Sequence, residues 1–141
     1  MKVPLKKDQK IQVTDSKSIY GVMQRILKRE NKIARGNEHF WTVGLDTNHV
    51  ILYIELLGLG GATSVPVNVQ DVLRMAIYKN AVKLILVHNH PSGNLTPSDQ
   101  DLHTTEAIKH GGNFTGIKLI DHLIINERSY LSLKDEKLFK N

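Results

Sequence analysis

The stretch AVKLILVHNHPSGNLTPSDQDLHTTEAIKHGG (residues 81–112) contains the change of pattern that decides the fold. Its first part, AVKLILVHN, is an apolar run of the length typical of a buried strand. Its last part, TPSDQDLHTTEAIKHGG, predicts a helix, with Thr96 as N-cap, Pro97 in the first turn and Gly111-Gly112 at the end. A strand followed at once by a helix is typical of α/β folds.

The segment TDSKSIYGVMQRILKRENKIAR (residues 14–35) predicts an amphipathic helix. Asp15 or Ser16 is the expected N-cap, and Gly36 and Asn37 are expected to end the helix. The apolar stripe consists of Ile19, Val22, Met23, Ile26, Leu27 and Ile33, and the basic residues Arg25, Lys28, Arg29 and Lys32 lie off it.

The segments HFWTVGLD (39–46) and HVILYIELLG (49–58) flank the polar tetrapeptide DTNH, and we expect an antiparallel hairpin. Phe40, Trp41 and Tyr53 alternate along it and are expected in the core. The following LGLGGAT lacks the lysine and the spacing of a phosphate-binding loop and is expected to form a turn.

The remaining segments complete the predicted order α-ββ-α-β-α-β(β). NVQDVLRMAIYKN predicts a helix capped by Asn68, and IKLIDHLIIN and YLSLK predict the last strands. The fold class is therefore α/β, a single mixed-sheet domain with flanking helices.

Composition sets limits on the function. The chain has 141 residues, no cysteine and a net charge of +5, so disulfides and thiolate metal sites are excluded. The apolar runs are too short to span a membrane and the N-terminus does not resemble a signal peptide, so we expect a cytoplasmic protein. Residues 1–35 hold ten lysines and arginines against three acidic residues, which suits a solvated helix face or contact with DNA.

His88 and His90 lie where the predicted strand ends. Because side chains two residues apart on a strand point to the same face, both imidazoles are expected to converge on one ion. Asn89 is expected to point the other way, toward a loop or the core.

Asp101 falls in the first turn of the following helix, where the helix N-terminus favours a carboxylate. Two histidines and one aspartate leave a fourth position for water, which is the pattern of catalytic zinc. Ser98 lies one turn before Asp101. Its hydroxyl is expected either to donate to a developing oxyanion or to cap the helix, or both.

The wider pattern HNHPSG…PS..D…T, followed by LIDHLII and Y.S, resembles the bacterial RadC-type DNA repair proteins, within the JAMM (MPN/JAB) metalloprotease superfamily. The resemblance runs from about Glu38 to Ser132. It implies the MPN/JAB, cytidine-deaminase-like architecture, with one Zn²⁺ per chain. Its zinc ligands fall on His88, His90 and Asp101, and its active-site serine falls on Ser98.

The same resemblance places the glutamate that acts as general base on Glu38, at the start of the hairpin. Glu55 is the alternative. It lies mid-strand among apolar residues, where an unpaired carboxylate would be costly, so we favour Glu38.

Two further polar residues, Thr105 and His122, are candidates to support the metal ligands. Thr105 lies one helical turn beyond Asp101 and is expected to brace it, and His122 in LIDHLII is a candidate to support the site from behind the ligands. The Asp-His pair of that segment suggests a buried hydrogen bond. The remaining histidines are expected to be solvated or packed rather than ligands: His39, His49, His103 and His110.

We therefore predict a basic segment with one helix at 1–37 and a metal domain at 38–141. By the same resemblance, RadC-type proteins carry a segment similar to a helix-hairpin-helix before the metal domain. The 37 residues before Glu38 leave room for one helix. A DNA role that depends on that segment is therefore not expected to transfer to this chain. The resemblance implies a zinc-dependent hydrolase acting on peptide or isopeptide bonds of a protein substrate. The alternatives are a DNA-associated accessory protein with a structural or vestigial metal site, and a metal-dependent nuclease, which the few acidic residues near the motif argue against. Assembly into a homo-oligomer stays open.

Overall fold

A computed structural model of the chain describes residues 3–5, 11–30, 37–60 and 67–139. The helices and strands of these residues are, in chain order, α1 (Ser16–Arg29), β1 (Glu38–Leu45), β2 (Ile51–Gly60), α2 (Val69–Tyr78), β3 (Lys83–His88), α3 (Asp99–Thr115), β4 (Lys118–Ile125) and β5 (Tyr130–Ser132).

The five strands form one mixed sheet in the order β2-β1-β3-β4-β5. β1 pairs antiparallel with both β2 and β3, β3 and β4 are parallel, and β4 and β5 are antiparallel. The parallel pair is joined through α3, because parallel neighbours need a crossover connection. The chain is a single α/β domain with a mixed sheet, as the sequence predicts.

The two faces of the sheet carry separate apolar clusters, since alternate side chains point to opposite faces. Helix α1 covers one face, where its buried stripe packs against Trp41, Val43, Ile85 and Leu123. Helices α2 and α3 contribute to the cluster on the other face, with Phe40, Tyr53, Leu84, Leu86 and Ile108. Phe40, Trp41 and Tyr53 are buried, as predicted for core residues.

Helix α1 begins as predicted but ends earlier. Asp15 is the N-cap and forms a reciprocal capping box with Ser18. The prediction that the helix continues to Gly36 is wrong, because Glu30 already adopts an extended backbone after Arg29. Residues 31–36, including Lys32, Ile33 and Gly36, lie outside the described residues.

The polar turn between β1 and β2 is confirmed. The Asp46 side chain accepts hydrogen bonds from the backbone N–H groups of Asn48 and Val50, and His49 adopts a positive φ of 63°. The glycine-rich turn predicted after the hairpin is wrong for residues 57–60, because β2 continues to Gly60. Residues 61–63 of that segment lie outside the described residues.

Helix α2 is capped by Asn68, as predicted, through hydrogen bonds from the N–H groups of Gln70 and Asp71. The predicted Thr96 cap and the predicted end of α3 are wrong, whereas the capping role offered for Ser98 is confirmed. Ser98, not Thr96, is the N-cap, and the helix continues through Gly111 and Gly112 to end at Gly116, which has a left-handed φ of 77°.

The pair Gly111-Gly112 serves close packing rather than termination. A Cβ on Gly112 would lie 2.3 Å from the carbonyl oxygen of Ile117, and one on Gly111 would lie 2.9 Å from the Leu73 side chain. Within the described ranges, no helix combines the length and the apolar character needed to cross a membrane.

Candidate functional site

Two imidazoles meet where the carboxyl end of β3 faces the start of α3. Strand β3 ends at His88, and His90 lies in the loop just beyond it. Their Nε2 atoms are 3.0 Å apart, although only His88 belongs to the strand. His88 is buried under Phe40, whose ring stacks on it at 5.5 Å.

Asp101 brings a carboxylate to the same point. Its Oδ1 lies 3.2 Å from Nε2 of His88, and its Oδ2 lies 2.9 Å from Nε2 of His90. A capping box holds it there. The N–H of Ser98 donates to Oδ2 at 2.8 Å, and the N–H of Asp101 donates to Oγ of Ser98 at 3.0 Å.

The electrostatics of this group favour a positive charge. Burial alone would raise the pKa of Asp101, but the hydrogen bonds to His88 and His90 outweigh it and hold that pKa far below its usual value. The hydrogen bond to Asp101 in turn raises the pKa of His90. A carboxylate that stabilises a proton on its neighbouring imidazole also stabilises a cation placed between the two.

The far side of His88 is held by a chain of hydrogen bonds. His88 Nδ1 lies 2.8 Å from Nε2 of His122, and His122 Nδ1 lies 2.6 Å from Oγ1 of Thr105. Thr105 donates its hydroxyl proton to the carbonyl oxygen of Asp101 at 2.7 Å. Since that proton is committed, Thr105 accepts from His122 Nδ1, and His122 Nε2 accepts from His88 Nδ1.

This chain fixes the tautomer of His88. The neutral imidazole therefore carries its proton on Nδ1, and Nε2, which donates to Asp101 when the ring is protonated, is the atom that would bind a metal ion in place of that proton. Burial, followed by the neighbouring His88, lowers the pKa of His122 well below its usual value, which keeps this imidazole neutral as the chain requires. His90 is fixed in the same sense, because its Nδ1 lies 2.8 Å from the carbonyl oxygen of Asn94 and must donate to it.

The donor set fits a tetrahedral metal ion. Ligand atoms at about 2.0–2.1 Å from such an ion are separated by about 3.3 Å. The three distances among His88 Nε2, His90 Nε2 and the Asp101 oxygens are 2.9–3.2 Å. Two neutral imidazole nitrogens and one carboxylate are also the ligand types that zinc accepts.

Glu38 approaches from the neighbouring strand. It is the first residue of β1, is 5% exposed, and brings a carboxylate oxygen within 4.8 Å of the ligand nitrogens of His88 and His90. The alternative, Glu55, lies in the middle of β2 and lines a cavity together with Leu57 and Arg74. The structure thus brings Glu38, rather than Glu55, into the group that can hold a metal.

Asn89 lies between the two histidines in sequence, but its side chain points toward β1. Its Oδ1 accepts from the N–H of His39 at 2.7 Å, and its Nδ2 donates to the carbonyl oxygen of Asn37 at 3.0 Å. Its own N–H donates to the carbonyl oxygen of His39 at 3.3 Å. Asn89 is 3% exposed, so these contacts are sheltered from water.

Comparison with known proteins agrees with this geometry. Residues 13–138 match the model of the RadC family, described as the RadC-like JAB domain. The chain belongs to the RadC-like JAB domain family. A UPF0758 protein of Desulforudis audaxviator is 42% identical over 102 residues, which are 72% of this chain and 44% of that protein. A UPF0758 protein of Methanosarcina mazei is 35% identical over 131 residues, 93% of this chain and 55% of that protein.

This RadC-like JAB domain spans about half the length of the curated relatives it matches. The domain carries a candidate metal site of glutamate and histidine side chains, and JAB domains as a superfamily include hydrolases. The matched range contains every residue of the site, from Glu38 to His122.

The buried hydrogen bond expected of the Asp121–His122 pair is present, and it joins the His122 N–H to Asp121 Oδ1. Asp121 and His122 do not pair through their side chains, because successive residues of β4 point to opposite faces. Asp121 instead accepts from its neighbour's N–H, from the N–H of Lys134 and from the hydroxyl of Ser132.

The remaining histidines lie away from the group. His39 is buried and stacks on Trp41 at 5.1 Å, whereas His103 and His110 are exposed on α3. His49 lies in the turn between β1 and β2.

The interaction that sequence reasoning missed is the one made by Asn89. The period-two pattern indicates that its side chain points away from the metal ligands, but its partner His39 lies 50 positions earlier in the sequence. The tripeptide His-Asn-His, with an amide where an apolar residue would suit a buried strand end, is the signal that was available.

Proposed function

We propose that this RadC-like JAB domain is a zinc-dependent hydrolase of peptide or isopeptide bonds, with one zinc ion held by His88, His90 and Asp101. The observation that carries the proposal is the convergence of two imidazole nitrogens of fixed tautomer and one carboxylate within 2.9–3.2 Å of one another, beside Glu38. Three protein ligands leave one position of a tetrahedral site for water, as catalytic zinc requires. A bound zinc ion supplies a Lewis acid and lowers the pKa of the adjacent water to about 7.

Glu38 is the general base in this proposal. One of its carboxylate oxygens lies within 4.8 Å of the ligand nitrogens of His88 and His90. Because the proposal takes Asp101 as the third ligand, Glu38 is assigned to accept the proton of the attacking water and deliver it to the departing amine. As the first residue of β1, Glu38 lies at a strand end beside the end of β3 that carries His88, and its side chain is 5% exposed.

Ser98 is the oxyanion donor. Its oxygen already accepts a hydrogen bond from the N–H of Asp101, which leaves its hydroxyl proton to be donated. As the carbonyl carbon of the substrate becomes tetrahedral, negative charge develops on its oxygen, and a preorganised donor stabilises that charge. Capping and catalysis thus use different parts of the same hydroxyl group.

Thr105 and His122 act through the ligands. The hydrogen-bond chain from Thr105 through His122 holds the His88 ring in one orientation and one tautomer. Without it, the ring could rotate or place its proton on Nε2, and the lone pair would be lost to the metal.

The proposal is tested by measuring zinc content and hydrolysis on matched variants of the whole chain. Fluorescein-labelled casein and a peptide joined through a lysine ε-amino group serve as substrates. We expect one zinc per chain in the wild type and hydrolysis of one of these probes. Glu38→Gln should keep zinc and lose hydrolysis by about 10²–10⁴-fold, the usual contribution of a general base. His88→Ala should lose both.

His110→Ala is the matched control, because His110 is an exposed histidine of α3 outside the site. It should keep both zinc and hydrolysis at the wild-type level. Full zinc binding by the double variant His88→Ala, His90→Ala would contradict the metal assignment. Zinc binding at these ligands with neither probe cleaved would contradict the proposed reaction and leave a binding domain.

A second candidate is a DNA-associated accessory role. It is favoured by the outer face of α1, where four basic side chains are exposed: Lys17, Arg25, Lys28 and Arg29. Such a row suits contact with phosphates. If it binds DNA, the logarithm of the affinity should fall linearly with the logarithm of the salt concentration, and Arg25→Ala should reduce the slope by about 1. An unchanged slope in Arg25→Ala would contradict contact by this face.

A further inference from the structure

We infer that Asn89 is the positioning residue for Glu38, and that its side-chain amide sets the distance between the Glu38 backbone and the two histidines that flank Asn89 in sequence. The inference rests on the general-base role proposed for Glu38. It assigns to Asn89 a task that the zinc ligands do not perform.

The pairing of β1 with β3 brings Asn89 close to Glu38. β1 and β3 are paired from Leu45↔Lys83 to Phe40↔His88. Beyond that pair, the chain leaves β3 and enters the loop 89–98, here called the histidine loop because it carries His90, so regular pairing of the backbones ends just before Glu38 is reached. The N–H of Asn89 still donates to the carbonyl oxygen of His39, at the longer distance of 3.3 Å.

The Asn89 side chain continues the hydrogen bonding to β1 where regular backbone pairing ends. Its Oδ1 accepts from the N–H of His39 and its Nδ2 donates to the carbonyl oxygen of Asn37. These two backbone groups lie on either side of Glu38. One amide therefore holds the peptide groups before and after the Glu38 Cα, as a neighbouring strand would.

These two contacts require a carboxamide side chain at position 89. The side chain must accept on one side and donate on the other while 3% exposed, and a carboxamide of this length does both. The partners fix its orientation, because a flipped amide would place N–H against N–H and oxygen against oxygen. An aspartate keeps the acceptor but loses the donor, and an alanine loses both.

The Asn89 contacts connect Glu38 to the two histidines of the candidate metal site. Asn89 is bonded covalently to His88 and to His90, and by hydrogen bonds to both neighbours of Glu38. The general base and two metal ligands are thus tied to one residue. General-base catalysis depends on such placement, since displacement by about 1 Å can cost about 10²-fold in rate.

Amide hydrogen exchange of the metal-free chain, followed by NMR, tests the contacts without any need for activity. In Asn89→Ala, the His39 amide loses its acceptor, and we expect its protection factor to fall by at least about tenfold, the equilibrium factor that corresponds to a hydrogen bond. In Asn89→Asp, the acceptor remains, so His39 should stay protected. Asn68→Ala, which removes an exposed cap of α2, should leave His39 unchanged.

A double-mutant cycle with Glu38→Gln in the zinc-loaded chain tests the consequence, with casein hydrolysis as readout. Asn89→Ala should lower kcat by about 10-fold or more while the zinc Kd changes less than about tenfold, and it should have little further effect in the Glu38→Gln background. Asn89→Asp keeps the acceptor for the His39 N–H and loses the donor to the Asn37 carbonyl, so it should give an intermediate rate.

Two results would overturn the inference: a His39 amide that stays protected in Asn89→Ala, or rate losses that add in full across the cycle. If the wild type cleaves no probe, the proposed function fails, and the exchange of His39 alone decides whether Asn89 holds the backbone around Glu38.

Discussion

At the scale of single residues, the site depends on where protons lie rather than on which residues are present. His88 and His90 each direct the lone pair of Nε2 inward because each commits its Nδ1 proton to an acceptor behind the ring. For His90 the acceptor is a backbone carbonyl, which cannot be mutated away. For His88 it is a side chain, His122, and this contact can be tested.

Replacement of His122 by alanine should weaken zinc binding by about 10–100-fold, because His88 Nδ1 loses its acceptor and the ring its orientation. Competition with a chelator of known affinity measures this Kd. Thr105→Val, which leaves His122 in place, should have a smaller effect. Equal affinity of His122→Ala and wild type would show that the hydrogen-bond chain does not prepare His88 for metal.

Tyr53 offers a residue-scale prediction about stability. Its ring packs over Gly44, and among the described residues its buried hydroxyl oxygen has no hydrogen-bond partner. A buried hydroxyl without a partner is destabilising, so Tyr53→Phe should leave the free energy of unfolding unchanged or raise it by up to about 1 kcal/mol at pH 7. Chemical denaturation measures this difference. A loss of more than about 2 kcal/mol would reveal a partner for the hydroxyl.

The free energies of unfolding of the wild type and Tyr53→Phe should differ further at alkaline pH. Burial, and then the nearby Glu55, raises the pKa of Tyr53 above its ordinary value of 10.0. Below pH 10 the tyrosine is protonated in both folded and unfolded chains, and the stability it contributes is fully present. Above pH 10 mainly the unfolded chain ionises, so between pH 10 and 11 the wild type should lose about 1 kcal/mol relative to Tyr53→Phe. Parallel stability curves for the two proteins would contradict this pKa shift.

At the scale of the elements, local signals predicted starts better than ends. Asp15 and Asn68 cap their helices through side-chain contacts two or three residues away, which a sequence displays directly. Thr96 and Ser98 are both capable N-caps, and the structure selects Ser98, whose partner Asp101 is also drawn to His88 and His90. Choosing between them required the tertiary contact.

Helix ends and supporting contacts were less predictable for the same reason. Gly111 and Gly112 have the appearance of a helix stop, but the contacts that require glycine there come from α2 and from the chain after α3. The convergence of His88, His90 and Asp101 could be predicted from one stretch of sequence, because the three residues lie within fourteen positions. Asn89 and His122 could not be assigned partners, because those partners lie on other elements.

Two glycine-to-alanine substitutions distinguish a glycine that close packing requires from one that it does not. Gly112→Ala should destabilise the fold by about 1–3 kcal/mol, because its Cβ would lie 2.3 Å from the Ile117 carbonyl oxygen. Gly21→Ala, within α1 and with nothing within 4 Å of the added Cβ, should stabilise it by about 0.5–1 kcal/mol. Urea denaturation measures both. A neutral Gly112→Ala would show that α3 and the following chain can separate without cost.

At the scale of the whole molecule, the candidate site lies where three parts of the fold meet: the end of β3, the first turn of α3 and the first residue of β1. The sheet order makes this possible, because β1 lies beside β3 and the crossover from β3 to β4 begins at the histidine loop. Helix α1 and its exposed basic side chains cover the opposite face of the sheet from α2 and α3. The proposed hydrolytic and DNA-contacting surfaces are therefore separate and can be altered independently.

X-ray absorption at the zinc edge of the zinc-loaded 141-residue chain tests most directly whether His88, His90 and Asp101 hold a zinc ion. We expect two imidazole nitrogens and oxygen ligands at about 2.0–2.1 Å in a four-coordinate shell, with one imidazole fewer or no bound zinc in His90→Ala. A zinc shell without imidazole, or one that His90→Ala leaves unchanged, would contradict it.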